Sequence, residues 1–342
     1  MKAVFFEKHG GPEVLQYGTF RDPALGIDEV LIDIKACALN HLDIWVRQGL
    51  PGISIPMPHI PGSDVAGTVL ETGKAVRSLK KGDRVILSPG QLPHRAPEAL
   101  EGRDSYSPQF QILGLQTQGG YSERVAVHER FAIPVSDKYS FEEWASLPLV
   151  SLSAYHMLVG RAGLKPGETA LIHAAGSGVG SAAIQIAKYL GATVFTTVGD
   201  PQKISHAKNL GADKVISYKT KDFSEEVKKL TQGRGVDVVL DHIGPEVWQK
   251  NLASLARGGR LVTCGATSGP KAEIDLRFLF SKQLTILGSY MGSFAELLKV
   301  IRLAEEGHLK PTLDQIFPLK DAQGAHLRME SRRNFGKIVL KI

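Results

Sequence analysis

The chain has 342 residues, 43% hydrophobic and 22% charged; this is the balance of a globular protein, and the length suits two domains better than one core. No apolar run approaches the roughly 20 residues that cross a bilayer, and the N-terminal segment lacks the features of a secretion signal, so a cytoplasmic location is the default expectation. The net charge of +6 comes from scattered basic residues, which argues against a nucleic-acid footprint, and two cysteines, Cys37 and Cys264, require no disulfide framework.

In chain order, residues 1–7 read as a strand and residues 29–38 alternate their side chains as a half-buried strand does. Residues 40–48 read as one or two helical turns. Strands follow at 65–72 and 83–87, separated by the turn Lys81-Gly82-Asp83. Residues 89–117 form a long stretch of little periodicity, the kind of loop that usually serves a function or descends from one.

From Ser140 the texture changes to alternating helix and strand. Residues 141–161 read as one helix with Glu142 and Glu143 in its first turn. Strands are expected at 169–173, 193–198, 214–217, 236–241, 260–264 and 285–289, with helices at 180–190 and 202–210 among those between them. This succession implies a doubly wound parallel sheet. A helix at 297–306 and a strand at 336–341 resemble the first half again. The expected organisation is therefore α/β with two domains: a β-rich domain from residues 1–152 and 291–342, and a doubly wound domain from residues 153–290.

The strongest local signal is the turn Ala174-Ala175-Gly176-Ser177-Gly178-Val179-Gly180, set between a buried-type strand and an apolar-periodic helix. Small residues let the backbone approach a pyrophosphate closely, and the helix start offers free N–H groups at its positive end. A dinucleotide cofactor follows. An acid at the tip of the second strand marks NAD, but that strand ends Val198-Gly199, with Asp200 only slightly later.

These features, with Ala38-Leu39-Asn40-His41-Leu42-Asp43, Arg47, Gly49, Pro61-Gly62-Ser63-Asp64-Val65-Ala66-Gly67, Gly82-Asp83-Arg84-Val85 and Gly119-Gly120-Tyr121-Ser122-Glu123, make the chain resemble the medium-chain dehydrogenase/reductase superfamily over essentially its whole length. Within it, the likeness is to the zinc-free quinone oxidoreductase branch. The resemblance implies a GroES-like catalytic domain, a Rossmann domain and an active site in the cleft between them. It also implies a homodimer, or a tetramer, paired through an edge strand such as residues 284–290.

Zinc alcohol dehydrogenases of this superfamily place a Cys where Asn40 stands, a His-Glu pair where Ser63-Asp64 stands and a third ligand near residues 149–153. Asn40 and Ser63 are not zinc ligands. The four cysteines of a structural zinc lobe fall on Pro93, Ala96, Ala99 and Ser107. No zinc is expected at either place. The resemblance further implies that Lys203, Tyr218 and Arg332 gather around a 2′-phosphate, favouring NADPH over NADH. Ala175, Gly176, Ser177, Gly178, Val179, Gly180 and Gly199, with the turn Gly265-Ala266-Thr267, complete the expected cofactor set.

Without zinc, conjugate reduction is the less demanding chemistry, because hydrogen-bond donors alone can stabilise charge on a carbonyl oxygen. The expected activity is hydride transfer from NADPH to quinones or other α,β-unsaturated carbonyl compounds. The alternatives are an alcohol or aldehyde dehydrogenase of the same superfamily and a non-catalytic NADPH-binding protein. Asn40 is the first candidate for substrate contact, with a turn-capping amide as its other reading. Asp43 and Arg47 are placed to pair with each other in an ordering role, and Ser153 matches a hydroxyl that touches the nicotinamide in relatives. Some reductases of the branch carry a Tyr after the Arg-x-Gly turn; Gly49-Leu50-Pro51-Gly52 has none, which counts against an enoyl-thioester reductase. Cys37 and Cys264 are expected to be inert core thiols.

Overall fold

A computed structural model describes every residue except 94 and 95. The chain packs as two compact units. One comprises Met1–Leu149, Ser293–Ile301 and Pro311–Ile342, and the other Val150–Gly292 with Arg302–Lys310.

The first unit is built on a sheet whose strands run, in spatial order, Leu313–Pro318, Lys337–Lys341, Glu29–Ala38, Asp64–Thr72, Arg84–Leu87 and Ala132–Pro134; Arg124–His128 also pairs with Glu29–Ala38. Val30, Ile32, Ile34 and Ala36 are buried on one face of the Glu29–Ala38 strand, as its alternation demands. Gly67 permits the neighbouring strand to cross closely, since a Cβ there would sit 2.3 Å from the Asp33 carbonyl oxygen. The short helix His41–Gln48 follows directly from the central strand. The described residues of the long aperiodic stretch form brief elements, chiefly the paired strands Gly90–Gln91 and Gln111–Ile112 and the single-turn helix Pro97–Leu100.

The second unit carries a six-stranded, all-parallel sheet in the order Lys214–Ser217, Thr193–Val198, Thr169–Ile172, Val236–Asp241, Leu255–Thr263 and Thr285–Gly288. Its core includes Leu171, Phe195, Ile216, Val239, Leu252 and Leu261. The strands after Thr169–Ile172 are laid down first on one side of it and then on the other. That reversal is the topological switch point, where ligands of open α/β sheets bind.

One expectation is corrected. Residues 141–161 are not one helix: Phe141–Ala145 ends at Ser146, Pro148–Tyr155 begins anew, and the last turns, His156–Arg161, widen to π geometry. Pro148 has no N–H for an intrahelical bond and its ring would clash with the preceding turn, so it opens a helix instead of continuing one. Among the described residues, no helix is long and apolar enough to cross a membrane.

Candidate active site

The glycine-rich turn leaves the sheet at its switch point. After strand Thr169–Ile172, Ala174 takes a positive φ of 51°, and its N–H donates to the Thr197 hydroxyl at 3.0 Å while Ala175 N–H donates to the Thr197 carbonyl at 3.0 Å. Beneath them His173 sits between the Thr197 hydroxyl (3.1 Å) and Asn251 Oδ1 (2.6 Å), and its burial pulls the imidazole pKa down to about 4. Helix Gly178–Tyr189 then starts with Ser177 Oγ accepting from Gly180 N–H at 2.8 Å. A Cβ on Gly180 would lie 2.3 Å from the Ala174 carbonyl, so only glycine lets the helix pack this close to the turn. Ser177, Gly178 and Val179 remain half-exposed, Ala175 and Gly176 are buried, and the first N–H groups of the helix point outward at its positive end. A helix start of this form suits an anion.

The other expected cofactor residues of this unit stand at the same edge of the sheet. Strand Thr193–Val198 ends at Gly199, against which Tyr218 packs so closely that a Cβ would meet its hydroxyl at 2.3 Å. Lys203 opens helix Lys203–Asn209, and Asp200 turns its carboxylate to accept the Gln202 N–H at 2.9 Å. Gly265, Ala266 and Thr267 follow strand Leu255–Thr263; the Thr267 hydroxyl donates to the His242 carbonyl at 3.3 Å, and His242 Nε2 lies 3.2 Å from Ser177 Oγ. Ser153 is buried within helix Pro148–Tyr155. Arg332 belongs to the first unit, at a positive φ of 55° just beyond helix Ala322–Glu330.

In the first unit the strand ends assemble a buried polar cluster. Lys337 Nζ donates to Asn40 Oδ1 at 2.6 Å and to Asp64 Oδ2 at 2.9 Å. Asn40 Nδ2 donates to the same Asp64 oxygen at 2.9 Å, and the other Asp64 oxygen accepts Leu149 N–H at 2.8 Å. Lysine can only donate and a carboxylate only accept, so the amide orientation of Asn40 is fixed by chemistry. Next to it Asp43 accepts from Asn40 N–H at 2.7 Å and from Gly62 N–H at 3.0 Å. Burial pushes the Asp43 carboxyl up to about 7 against those two bonds.

One sequence expectation changes here. Asn40 stands at the N-cap of helix His41–Gln48 in a capping box with Asp43, and its amide is also engaged by Lys337 and Asp64. Asp43 and Arg47 do not pair. Arg47, fully buried, donates to the Gly10 carbonyl (3.1 Å), to His326 Nδ1 (3.1 Å) and to Glu330, while His326 Nε2 lies 3.2 Å from the Tyr121 hydroxyl. The residues that sequence reasoning missed are thus Lys337, Tyr121, His326 and Glu330. None lies within 70 positions of Asn40, so no local pattern could have joined them. Cys37 is buried and Cys264 mostly so; burial raises both thiols, Cys264 to about 12. Among the described residues, no three His, Cys, Asp or Glu side chains cluster as a metal site.

A parallel sheet with a glycine-rich turn at its switch point, joined in one chain to a β-rich unit with a polar cluster at its strand ends, defines a dinucleotide-dependent oxidoreductase of two-domain type. The models for the alcohol dehydrogenase GroES-like domain and the zinc-binding dehydrogenase match residues 26–137 and 178–306. Quinone oxidoreductase 1 of Escherichia coli (strain K12) is 34% identical, with 98% of each chain covered. A solved NAD-dependent alcohol dehydrogenase is 42% identical with a TM-score of 0.97, covering 100% of both chains. A cobalt- and zinc-bound thermostable alcohol dehydrogenase from Pyrobaculum aerophilum is 34% identical with a TM-score of 0.91, covering 100% of this chain and 99% of that one. The chain belongs to the medium-chain dehydrogenase/reductase superfamily and is an NAD(P)-dependent oxidoreductase acting on a small molecule.

Proposed function

We propose that the chain is a zinc-independent, NADPH-dependent reductase of quinones or other α,β-unsaturated carbonyl compounds. The observation that carries this reading is the Lys337 ammonium lodged between Asn40 and Asp64. A side-chain cation already engages the positions from which zinc members of the superfamily bind metal. An amide oxygen, the Ser63 hydroxyl and a carboxylate already paired with lysine do not fit a tetrahedral zinc site. Alcohol oxidation without a metal lacks its usual means of forming the alkoxide, whereas conjugate reduction asks only for donors to the carbonyl oxygen.

When bound, the reduced nicotinamide supplies hydride, and the chain's own part is to hold the cofactor and meet the substrate oxygen. The turn from Ala175 to Gly180, with Gly265, Ala266 and Thr267, would hold the dinucleotide; Asn40 would touch the substrate, Asp43 would fix the backbone at Asn40 and Ser153 would border the nicotinamide. Gly199 in place of an acid, with Lys203, Tyr218 and Arg332, favours the 2′-phosphate of NADPH over NADH, since Lys and Arg both pair with a dianion. For assembly we propose a homodimer, with a tetramer as the alternative. Thr285–Gly288 is an open sheet edge flanked by exposed Leu276, Phe280 and Tyr290, and light scattering decides between the states.

The test is to follow NADPH and NADH oxidation with a panel of quinones, enones and aldehydes, with metal analysis on the same sample. Turnover with NADPH and quinones that survives chelation is expected. Turnover lost on chelation and restored by zinc would overturn the reading. A second reading has its own support in the 42% likeness to an NAD-dependent alcohol dehydrogenase. Reversible alcohol oxidation with inactivity toward enones would establish it instead, and tight NADPH binding without turnover would mark a non-catalytic binding protein.

A further inference from the structure

Lys337 has three N–H donors and spends two, on Asn40 Oδ1 and Asp64 Oδ2; its third finds no acceptor among the described residues. Asn40 likewise spends one amide N–H on Asp64 and keeps the other. The two nitrogens are neighbours, since both lie 2.9 Å from one Asp64 oxygen. Among the polar side chains that meet here, Lys337 keeps 4% and Asn40 5% of its exposure, while Ser63 and Asp64 keep none. The unspent donors thus belong to the two residues that are not sealed completely, whereas the carboxylate that holds them is sealed. An ammonium held by a buried carboxylate is a fixed positive centre in a medium where charge is weakly screened, the arrangement that stabilises an oxyanion without reorganising.

We propose that Lys337, together with Asn40, receives the carbonyl oxygen of the substrate and stabilises the negative charge that develops there during reduction. Lys337 acts by hydrogen bonding and charge; the hydride comes from the reduced nicotinamide, and the proton that completes the reduction comes from solvent. Asp64 is a positioning residue: one of its oxygens holds both the ammonium and the amide, without touching substrate. The inference rests on the reductase reading above for its substrate class, but any carbonyl oxygen or phenolate meets the same two donors.

The decisive variant is the double substitution Lys337→Met with Asp64→Asn, because Lys337→Met alone leaves a buried carboxylate without its cation and endangers folding. The double variant removes both charges and keeps hydrogen-bonding capacity beside Asn40. Two measurements are made on the NADP⁺- or NADPH-saturated enzyme. In the first, p-nitrophenol is titrated and followed by absorbance. Wild type is expected to lower the pKa of the bound phenol, and the double variant to lose at least tenfold of phenolate affinity with its melting profile and NADP⁺ affinity intact. In the second, kcat is measured on whichever quinone, enone or aldehyde the wild type reduces. A fall of about 100-fold or more, with NADPH KM unchanged, is expected from losing such a donor. No preference of wild type for phenolate over phenol, or a folded double variant that keeps wild-type phenolate affinity, would overturn the proposal. Phenolate stabilisation without quinone reduction would uphold the two donors and refute the quinone reading, so the two failures are distinct.

Discussion

His326 contributes a calculable acid-labile part to the stability of the first unit, opposed by Asp43, whose carboxyl, raised to about 7, takes up a proton in the folded state first. Arg47 can only donate, so His326 Nδ1 must accept from it, and the single imidazole proton sits on Nε2 facing the Tyr121 oxygen. Charging the ring would place a second N–H against the Arg47 guanidinium inside a site with no solvent access. Burial first and the Arg47 charge second hold the pKa at about 3 instead of 6.5. A histidine whose folded pKa is depressed is neutral in both states above 6.5; below that, the unfolded chain takes up a proton that the folded one refuses, so stability falls with pH until about 3. At pH 5 the difference spans about 1.5 pH units, or about 2 kcal/mol of lost stability relative to pH 7.5. In His326→Gln the side-chain oxygen can accept from Arg47 and the amide can donate to Tyr121, with nothing left to titrate. Denaturant unfolding at pH 7.5 and 5.0 in a Trp248→Phe background leaves Trp45 and Trp144, both in the first unit, as reporters. Relative to its parent, the variant is expected to be about 2 kcal/mol more stable at pH 5.0 than its stability at pH 7.5 would give, whatever the net slope that Asp43 imposes on both. A variant that loses as much stability on acidification as its parent would refute the reasoning.

Other consequences follow from single contacts. Gly180→Ala puts a methyl 2.3 Å from the Ala174 carbonyl and is expected to weaken NADPH binding more than tenfold, read by quenching of the cofactor fluorescence. Lys203→Ala and Arg332→Ala are each expected to lower NADPH affinity about tenfold through loss of a charge-assisted phosphate contact while leaving NADH affinity nearly unchanged; equal losses for both cofactors would remove the 2′-phosphate assignment. Cys37 and Cys264 are expected to stay unreactive toward a thiol reagent at pH 8 until the chain is unfolded, because burial keeps both as thiols.

Local features were readable from the sequence because their causes are local. The turn from Ala174 to Gly180 has its small residues, preceding strand and following helix within a few positions, and the parallel sheet follows from regular alternation. The break at Pro148 was equally local, and reading residues 141–161 as continuous gave apolar periodicity more weight than the missing N–H. Helix Ala322–Glu330 and strand Leu313–Pro318 carried weaker signals, since half-exposed strands and a helix interrupted by Gly324 blur the pattern.

Lys337 marks where such reading stops. The strand Lys337–Lys341 has a lysine at each end on the same face, yet the first is buried and the second exposed. Alternation assigns both the same environment, and a lysine at a strand end is ordinarily taken as solvated. Register makes the difference. Val339 pairs with Ala38, and Ile338 accepts a hydrogen bond from Leu39 N–H, so continuing the ladder brings Lys337 level with Asn40. Ala38 pairs in turn with Asp64 on its other side. Three strands thus end side by side, and their terminal residues meet although Lys337 lies 297 positions from Asn40 and 273 from Asp64. A buried carboxyl is either neutralised, as the raised pKa of Asp43 allows, or paired with a cation. Asp64 is the paired one, and only the sheet order determines that a lysine near the far end of the chain provides its partner.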